Sequence, residues 1–166
     1  MATIEDIAKK LNVSKGTVSK ALNGAPDVSE TLRKAVLETA VELGYSRSLR
    51  KKGAKQLCLF IENMAWSAPG DFGYDIVTGF RKIAEPAGFL VKEVPLDEAM
   101  QKQISYDEYM LQYNYVGAFF LGLSFSDVWL RQLRTSHTPA VLLDNYVKAN
   151  PTTCYVGVDN NEGMDL

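Results

Sequence analysis

The sequence predicts a small all-α headpiece with a helix-turn-helix plan, followed by an α/β domain built on a parallel sheet. Three observations predict it. The first 45 residues hold three short segments of helical apolar spacing, each preceded by a Thr or Ser able to cap it. From residue 57 onward, apolar runs of strand length alternate with helical stripes. The charge divides along the same line: residues 1–56 carry 11 Lys and Arg against 6 Asp and Glu, and residues 57–166 carry 7 against 14. A basic head on an acidic body is the asymmetry expected when one part meets a polyanion and the other does not.

Each helix of the head follows from its residues. Thr3 caps the first, Glu5 and Asp6 suit its positive end, and Ile4, Ile7, Ala8 and Leu11 form one apolar face. Asn12 tolerates the left-handed backbone of a tight turn. Ser14 caps the second helix, which turns Val18, Ala21 and Leu22 inward and leaves Lys15, Gly16, Thr17, Ser19 and Lys20 outside. Asn23-Gly24 and Pro26 stop it. A third helix starts at Ser29, buries Leu32, Ala35, Val36, Ala40 and Leu43, and is followed by Gly44 in the C′ position.

The second helix is thin in apolar residues and rich in Lys, Thr and Ser. A helix lying in a DNA major groove needs this: donors for phosphates and bases, and little bulk. A three-helix bundle with a solvated polar face fits the same pattern.

The residues themselves then carry a specific resemblance. Thr3-Ile4-Glu5-Asp6-Ile7-Ala8-Lys9-Lys10-Leu11-Asn12-Val13-Ser14, Thr17-Val18-Ser19-Lys20-Ala21-Leu22-Asn23-Gly24, Val28-Ser29-Glu30, Arg33 and Leu43-Gly44-Tyr45 closely resemble the headpiece of the lactose/galactose-repressor (LacI/GalR) family of transcriptional regulators. The resemblance implies roles. Lys15 and Gly16 fall on the main base-reading positions, with Lys20 a third candidate. Thr3, Ser14, Thr17, Ser19, Asn23, Arg33 and Tyr45 fall where the family contacts phosphates or supports the docked head. Gly16 departs from the pattern, since glycine has no side chain to read a base edge. Direct readout then moves to Lys15, with guanine O6/N7 as its partner.

The segment from 46 to 56 departs further. The family's hinge helix opens with Pro-Asn and an Ala-Arg-x-Leu run and wedges an apolar side chain into the minor groove. Here Ser46-Arg47-Ser48-Leu49-Arg50-Lys51-Lys52-Gly53-Ala54-Lys55-Gln56 lacks Pro-Asn and is shortened, and Leu49 is the one large apolar residue available as a wedge. A basic tether gripping phosphates, a hinge helix with Leu49 inserted and a solvated linker all fit.

In the body, Leu57–Ile61, Phe89–Val91, Val116–Leu121, Pro139–Asp144 and Tyr155–Asp159 read as strands. Ile76, Val77, Phe80, Ile83 and Ala84 read as one helical stripe. Met110, Leu111 and Tyr113, and then Trp129, Leu130 and Leu133, mark two more. Alternation of this kind gives a parallel sheet with helices on both faces. Ligands of such sheets sit at the carboxyl ends of the strands, where Glu62, Asn63, Met64, Gly122, Asp144, Asn145, Tyr146, Asp159 and Asn160 fall. Carboxylates, amides and aromatic rings suit a sugar-like ligand, although Asp and Asn also simply end strands.

The resemblance extends loosely over this region through Phe72-Gly73-Tyr74-Asp75-Ile76 with Gly79, Thr138 to Asn145, and Val156-Gly157-Val158-Asp159-Asn160 with Gly163. It implies a periplasmic-binding-protein-like effector domain in which Phe72, Asp144 and Asp159 are the strongest effector contacts and Asn63 and Asn145 are further ones. Two similar subdomains clamp the effector in this family. The chain is therefore expected to hold the N-terminal subdomain, incomplete, with an exposed apolar edge. The domains expected are a headpiece over 1–45, a basic linker or hinge over 46–56 and a partial effector domain over 57–166. The family further implies a homodimer on a pseudo-palindromic double-stranded operator, with a small carbohydrate-like effector. Repression is the favoured sign, although inducer and corepressor need the same architecture.

Other classes find little support. The residues show no Gly-x-Gly-x-x-Gly after the first strand, no phosphate-binding loop, no Gly-x-Ser-x-Gly elbow and no nucleophile partner for His137, so no enzyme is expected. His137 has no Cys or acidic neighbours at ligand spacing, and neither a metal nor another cofactor is expected. The acidic start lacks an apolar signal region, and the apolar stretch from Ala118 to Leu123 is too short to span a bilayer. A cytoplasmic protein without membrane contact is expected, with Cys58 and Cys154 as two buried free thiols.

Overall fold

A computed structural model of the chain describes residues 2–46, 55–148 and 150–157. Three helices come first: α1 (Ile4–Leu11), α2 (Lys15–Leu22) and α3 (Glu30–Glu42). Each start is fixed by a side chain. Thr3 and Asp6 form a reciprocal capping box at α1, Ser14 accepts from the Thr17 N–H at α2, and Ser29 accepts from the Leu32 N–H at α3. Asn12 ends α1 in the left-handed region at φ 53°. After α3, the Gly44 N–H donates to the Val41 carbonyl and the Tyr45 N–H to the Ala40 carbonyl, a Schellman stop. Gly44 supplies the φ of 65° that this stop requires.

The three helices close around Ile7, Val18, Leu22, Val36 and Ala40, all buried. Leu37 joins them, outside the stripe expected for α3, as does Leu111 from a later helix.

The rest is a five-stranded, wholly parallel sheet in the order β2-β1-β3-β4-β5. Its elements are β1 (Lys55–Ile61), α4 (Phe72–Ala84), β2 (Phe89–Pro95), α5 (Glu98–Gln103), α6 (Tyr106–Tyr113), β3 (Tyr115–Leu121), α7 (Val128–Gln132), β4 (Ala140–Leu143) and β5 (Thr153–Val156). Strand side chains alternate between faces. Cys58, Phe60, Ala118, Phe120, Ala140 and Leu142 pack against Tyr106, Met110, Trp129 and Leu133 of the α6 and α7 region. Leu59, Ile61, Phe119 and Leu121 pack against Val77 and Phe80 of α4 on the other face.

Several expectations are corrected. β1 begins at Lys55, inside the stretch read as linker, because Lys55 and Gln56 pair with Phe89 and Leu90 of β2. α5 was not anticipated; it buries Gln101 rather than an apolar stripe. Ile83 is exposed, and Ala84 provides the inward face of the last turn of α4. Cys58 is buried, but Cys154 is exposed because β5 borders the sheet as described and its side chains stand largely in solvent.

Candidate nucleic-acid interface and effector-facing edge

Along α2, Lys15, Gly16, Ser19, Lys20 and Asn23 recur on one arc, opposite the buried Val18, Ala21 and Leu22. The arc is polar and carries no large side chain apart from the two lysines. Ser14 Oγ lies 2.9 Å from Thr17 Oγ1, so these hydroxyls already satisfy each other at the start of α2. The Asn23 amide donates to the Ser19 carbonyl at 2.7 Å and closes the other end. Thr3 is exposed in its capping box at the start of α1.

Both lysines of the arc are held by carboxylates from outside α2. Lys15 Nζ is 2.8 Å from Glu5 Oε2 on α1, and Lys20 Nζ is 2.5 Å from Asp27 Oδ2 in the turn before α3. The hydrogen bond and positive charge of Lys15 hold the Glu5 carboxyl below the usual carboxylate range, and Lys20 does the same for Asp27. Both acids are therefore ionised at neutral pH. Sequence spacing could not find them: Glu5 sits ten positions from Lys15 on another helix, and Asp27 seven from Lys20 beyond a helix end.

Gly16 has open space around it. A Cβ there would meet nothing nearer than Ser14 Oγ at 3.5 Å, so no internal contact demands a glycine. Arg33 faces inward. It is 8% exposed and donates to the carbonyls of Ala21, Ala25 and Val28, bracing the end of α2 and the turn after it. Between contacting phosphate and supporting the head, its placement serves the second. Tyr45 is half-buried against the helical core. Leu49, with the rest of 47–54 and the question of a hinge helix, lies outside the described residues.

In the body, parallel strands bring their carboxyl ends to one edge. Asn63 follows β1 at φ 54° and Asp144 follows β4 at φ 51°, both exposed. Phe72, at the first turn of α4, is 70% exposed. Asn145 is buried: its amide donates to the Leu123 carbonyl and its oxygen accepts from the Tyr146 N–H, tying the end of β4 to the loop after β3. Asp159 lies outside the described residues. At the same edge, Glu62 accepts from the Gln101 amide at 3.2 Å and feels the nearby Asp127 carboxylate. Burial, and then the Asp127 carboxylate, push Glu62 up to about 7. Among the described residues, no group of three or more His, Cys, Asp or Glu side chains is placed to hold a metal ion. Among those residues, too, no helix is long and apolar enough to cross a membrane.

Residues 3–48 match the family of bacterial regulatory proteins of the lacI type. Over 155 residues, 90% of this chain, the sequence is 31% identical to the ribose operon repressor of Halalkalibacterium halodurans and covers 45% of it. The helical head belongs to the lacI family. A second relative, the catabolite control protein A of Priestia megaterium, is 28% identical over 89% of the chain and 45% of its own length. The chain thus spans less than half the length of these curated relatives. Among solved structures, the complex of the transcriptional regulator CelR with cellobiose aligns at 24% identity and a TM-score of 0.47, covering 98% of this chain and 49% of that one. The family match takes in the whole α1–turn–α2 unit, α3 and the Schellman stop.

Proposed function

We propose that this chain, with its lacI-family head, is a sequence-specific DNA-binding transcriptional regulator, a repressor governed by a small carbohydrate-like effector. The observation that carries the reading is the outward arc of α2, where Lys15, Gly16, Ser19, Lys20 and Asn23 stand together over a fully apolar inner face. Such an arc enters a major groove with donors forward and no bulk to exclude it. Lys15 contacts guanine O6/N7, and Lys20 adds a second reading position. Thr3, Ser14, Thr17, Ser19, Asn23 and Tyr45 serve phosphates or the docked pose, Arg33 braces the head, and Leu49 is the candidate minor-groove wedge.

In this reading residues 1–45 are the headpiece, 46–54 the basic linker and 55–166 part of an effector-binding domain. Asn63, Phe72, Asp144 and Asp159 form the effector-facing set, Asn145 braces the end of β4 from within, and the name of the ribose operon repressor supports a sugar-like ligand. Two copies bind a pseudo-palindromic duplex, one head per half-site, and the effector changes the relative placement of the heads. The protein acts in the cytoplasm and has no catalytic role.

The test is selection of bound duplexes from a random pool, with the unsubstituted chain and with Lys15→Ala. A two-fold-related consensus that relaxes at matching positions in the variant, with affinity reduced about tenfold, is expected. Enrichment of no sequence, with binding that vanishes as salt rises, overturns specific readout by this chain.

A further inference from the structure

We infer that Glu5 is a specificity-determining residue of the DNA interface, reading a base edge jointly with Lys15 although it stands on α1 rather than on the recognition helix. The inference rests on the DNA-binding reading above. Glu5 Oε2 lies 2.8 Å from Lys15 Nζ, and both side chains are at least half exposed, so the carboxylate is open to solvent beside the amine proposed to enter the groove.

A carboxylate in that position is costly against a polyanion unless a base donates to it. Phosphate oxygens, guanine O6/N7 and thymine O4 are all acceptors and repel it, whereas the exocyclic amino groups of cytosine and adenine donate, and cytosine is the one paired with the guanine that Lys15 reads. In a G·C pair the O6 acceptor of guanine and the N4 donor of cytosine are neighbours across the major groove. A lysine and a carboxylate already in contact present the complementary order, with Lys15 toward O6 and Glu5 toward N4. The missing side chain at Gly16 leaves room beside them, since a Cβ there would touch only Ser14. Exposed ion pairs hold weakly, so Lys15 swings from Glu5 to the base at little cost. The Lys15 hydrogen bond lowers the Glu5 carboxyl further below neutrality in the free head, so Glu5 meets DNA as a charged acceptor. On a sequence without a donor at that position, Glu5 opposes binding. It thereby raises discrimination while lowering non-specific affinity.

The test uses the full chain and four proteins: unsubstituted, Glu5→Gln, Glu5→Ala and Asp27→Asn. Each is put through duplex selection and then titrated against the selected and a random duplex over a range of salt. Asp27→Asn is the charge control, because it frees Lys20 in the way that Glu5→Gln frees Lys15. Both Glu5 variants are expected to bind random duplex more tightly, to lose about tenfold in the selected-to-random ratio, and to lose preference at one position in each half-site. The inference is overturned if the consensus and the ratio are unchanged. It is also overturned if both affinities rise by the same factor as in Asp27→Asn, which would be a plain charge effect. If the unsubstituted chain enriches no sequence, the DNA-binding reading fails first and takes the inference with it.

Discussion

The carbonyl oxygen of Glu62 lies 1.9 Å from where a Cβ on Gly122 would stand, so the end of β1 and the turn after β3 meet backbone to backbone. Gly122 also holds φ 79°, which side chains rarely adopt. Gly122→Ala therefore combines a clash with fixed backbone and a disfavoured conformation. It should lower stability by roughly 3 kcal/mol in urea unfolding. An unchanged midpoint would mean that the two strand ends can separate freely.

Glu62 also predicts a pH dependence. The folded chain holds its proton up to about 7, whereas the unfolded chain releases it near the ordinary value of 4.5. Across that window the folded state binds the proton more tightly, so the stability gained from this group is full below 4.5 and is lost as pH rises through 7. Glu62→Gln keeps an acceptor for the Gln101 amide but cannot ionise. Unfolding free energies measured from pH 4 to 8 should fall less, or rise more, with pH in this variant than in the unsubstituted chain. Parallel curves would show that Glu62 titrates alike in both states.

Arg33 should be worth more to the head than any exposed charge. Its guanidinium serves three carbonyls at 3.1, 2.9 and 3.4 Å while nearly excluded from water. Arg33→Met leaves those carbonyls without it and should cost about 2–3 kcal/mol. Arg33→Lys should recover only part of the loss, since a single ammonium cannot reproduce a planar fork. Helical circular dichroism through thermal unfolding provides the comparison, and equal melting of Lys and Arg would remove the fork from the account.

Gly16 separates stability from binding. Alanine fits without contact closer than 3.5 Å and favours the helix, so Gly16→Ala should stabilise the head by about 1 kcal/mol. The added methyl group stands on the arc proposed to face DNA, so duplex affinity should fall in the same protein. Higher thermal stability with undiminished binding would place Gly16 away from the groove.

Much of the architecture was legible in local pattern. Thr3, Ser14 and Ser29 each cap the helix they precede, and Gly44 stops α3 in the way its position implies, because capping depends on residues within one turn. The apolar runs at 57–61 and 116–121 form adjacent central strands, because a strand covered on both faces must be apolar throughout. α5 escaped notice because its buried residue is polar. Gln101 is hidden by hydrogen bonds to Glu62 and to the Trp129 N–H, and no apolar period records such bonds. Cys154 misled because a strand at the border of a sheet has the same composition as a covered one.

The sequence by itself determined the helical head, the basic arc of α2 and the alternation that makes a parallel sheet, since each depends on short-range spacing and backbone preference. Tertiary structure alone decided the pairing of Glu5 with Lys15 and of Asp27 with Lys20, the inward turn of Arg33, and the gathering of Asn63, Asp144 and the Glu62–Asp127 pair at one edge. These contacts join residues from different elements. Their energies depend on distance and burial in space, which the packing of helices and strands sets and chain order does not.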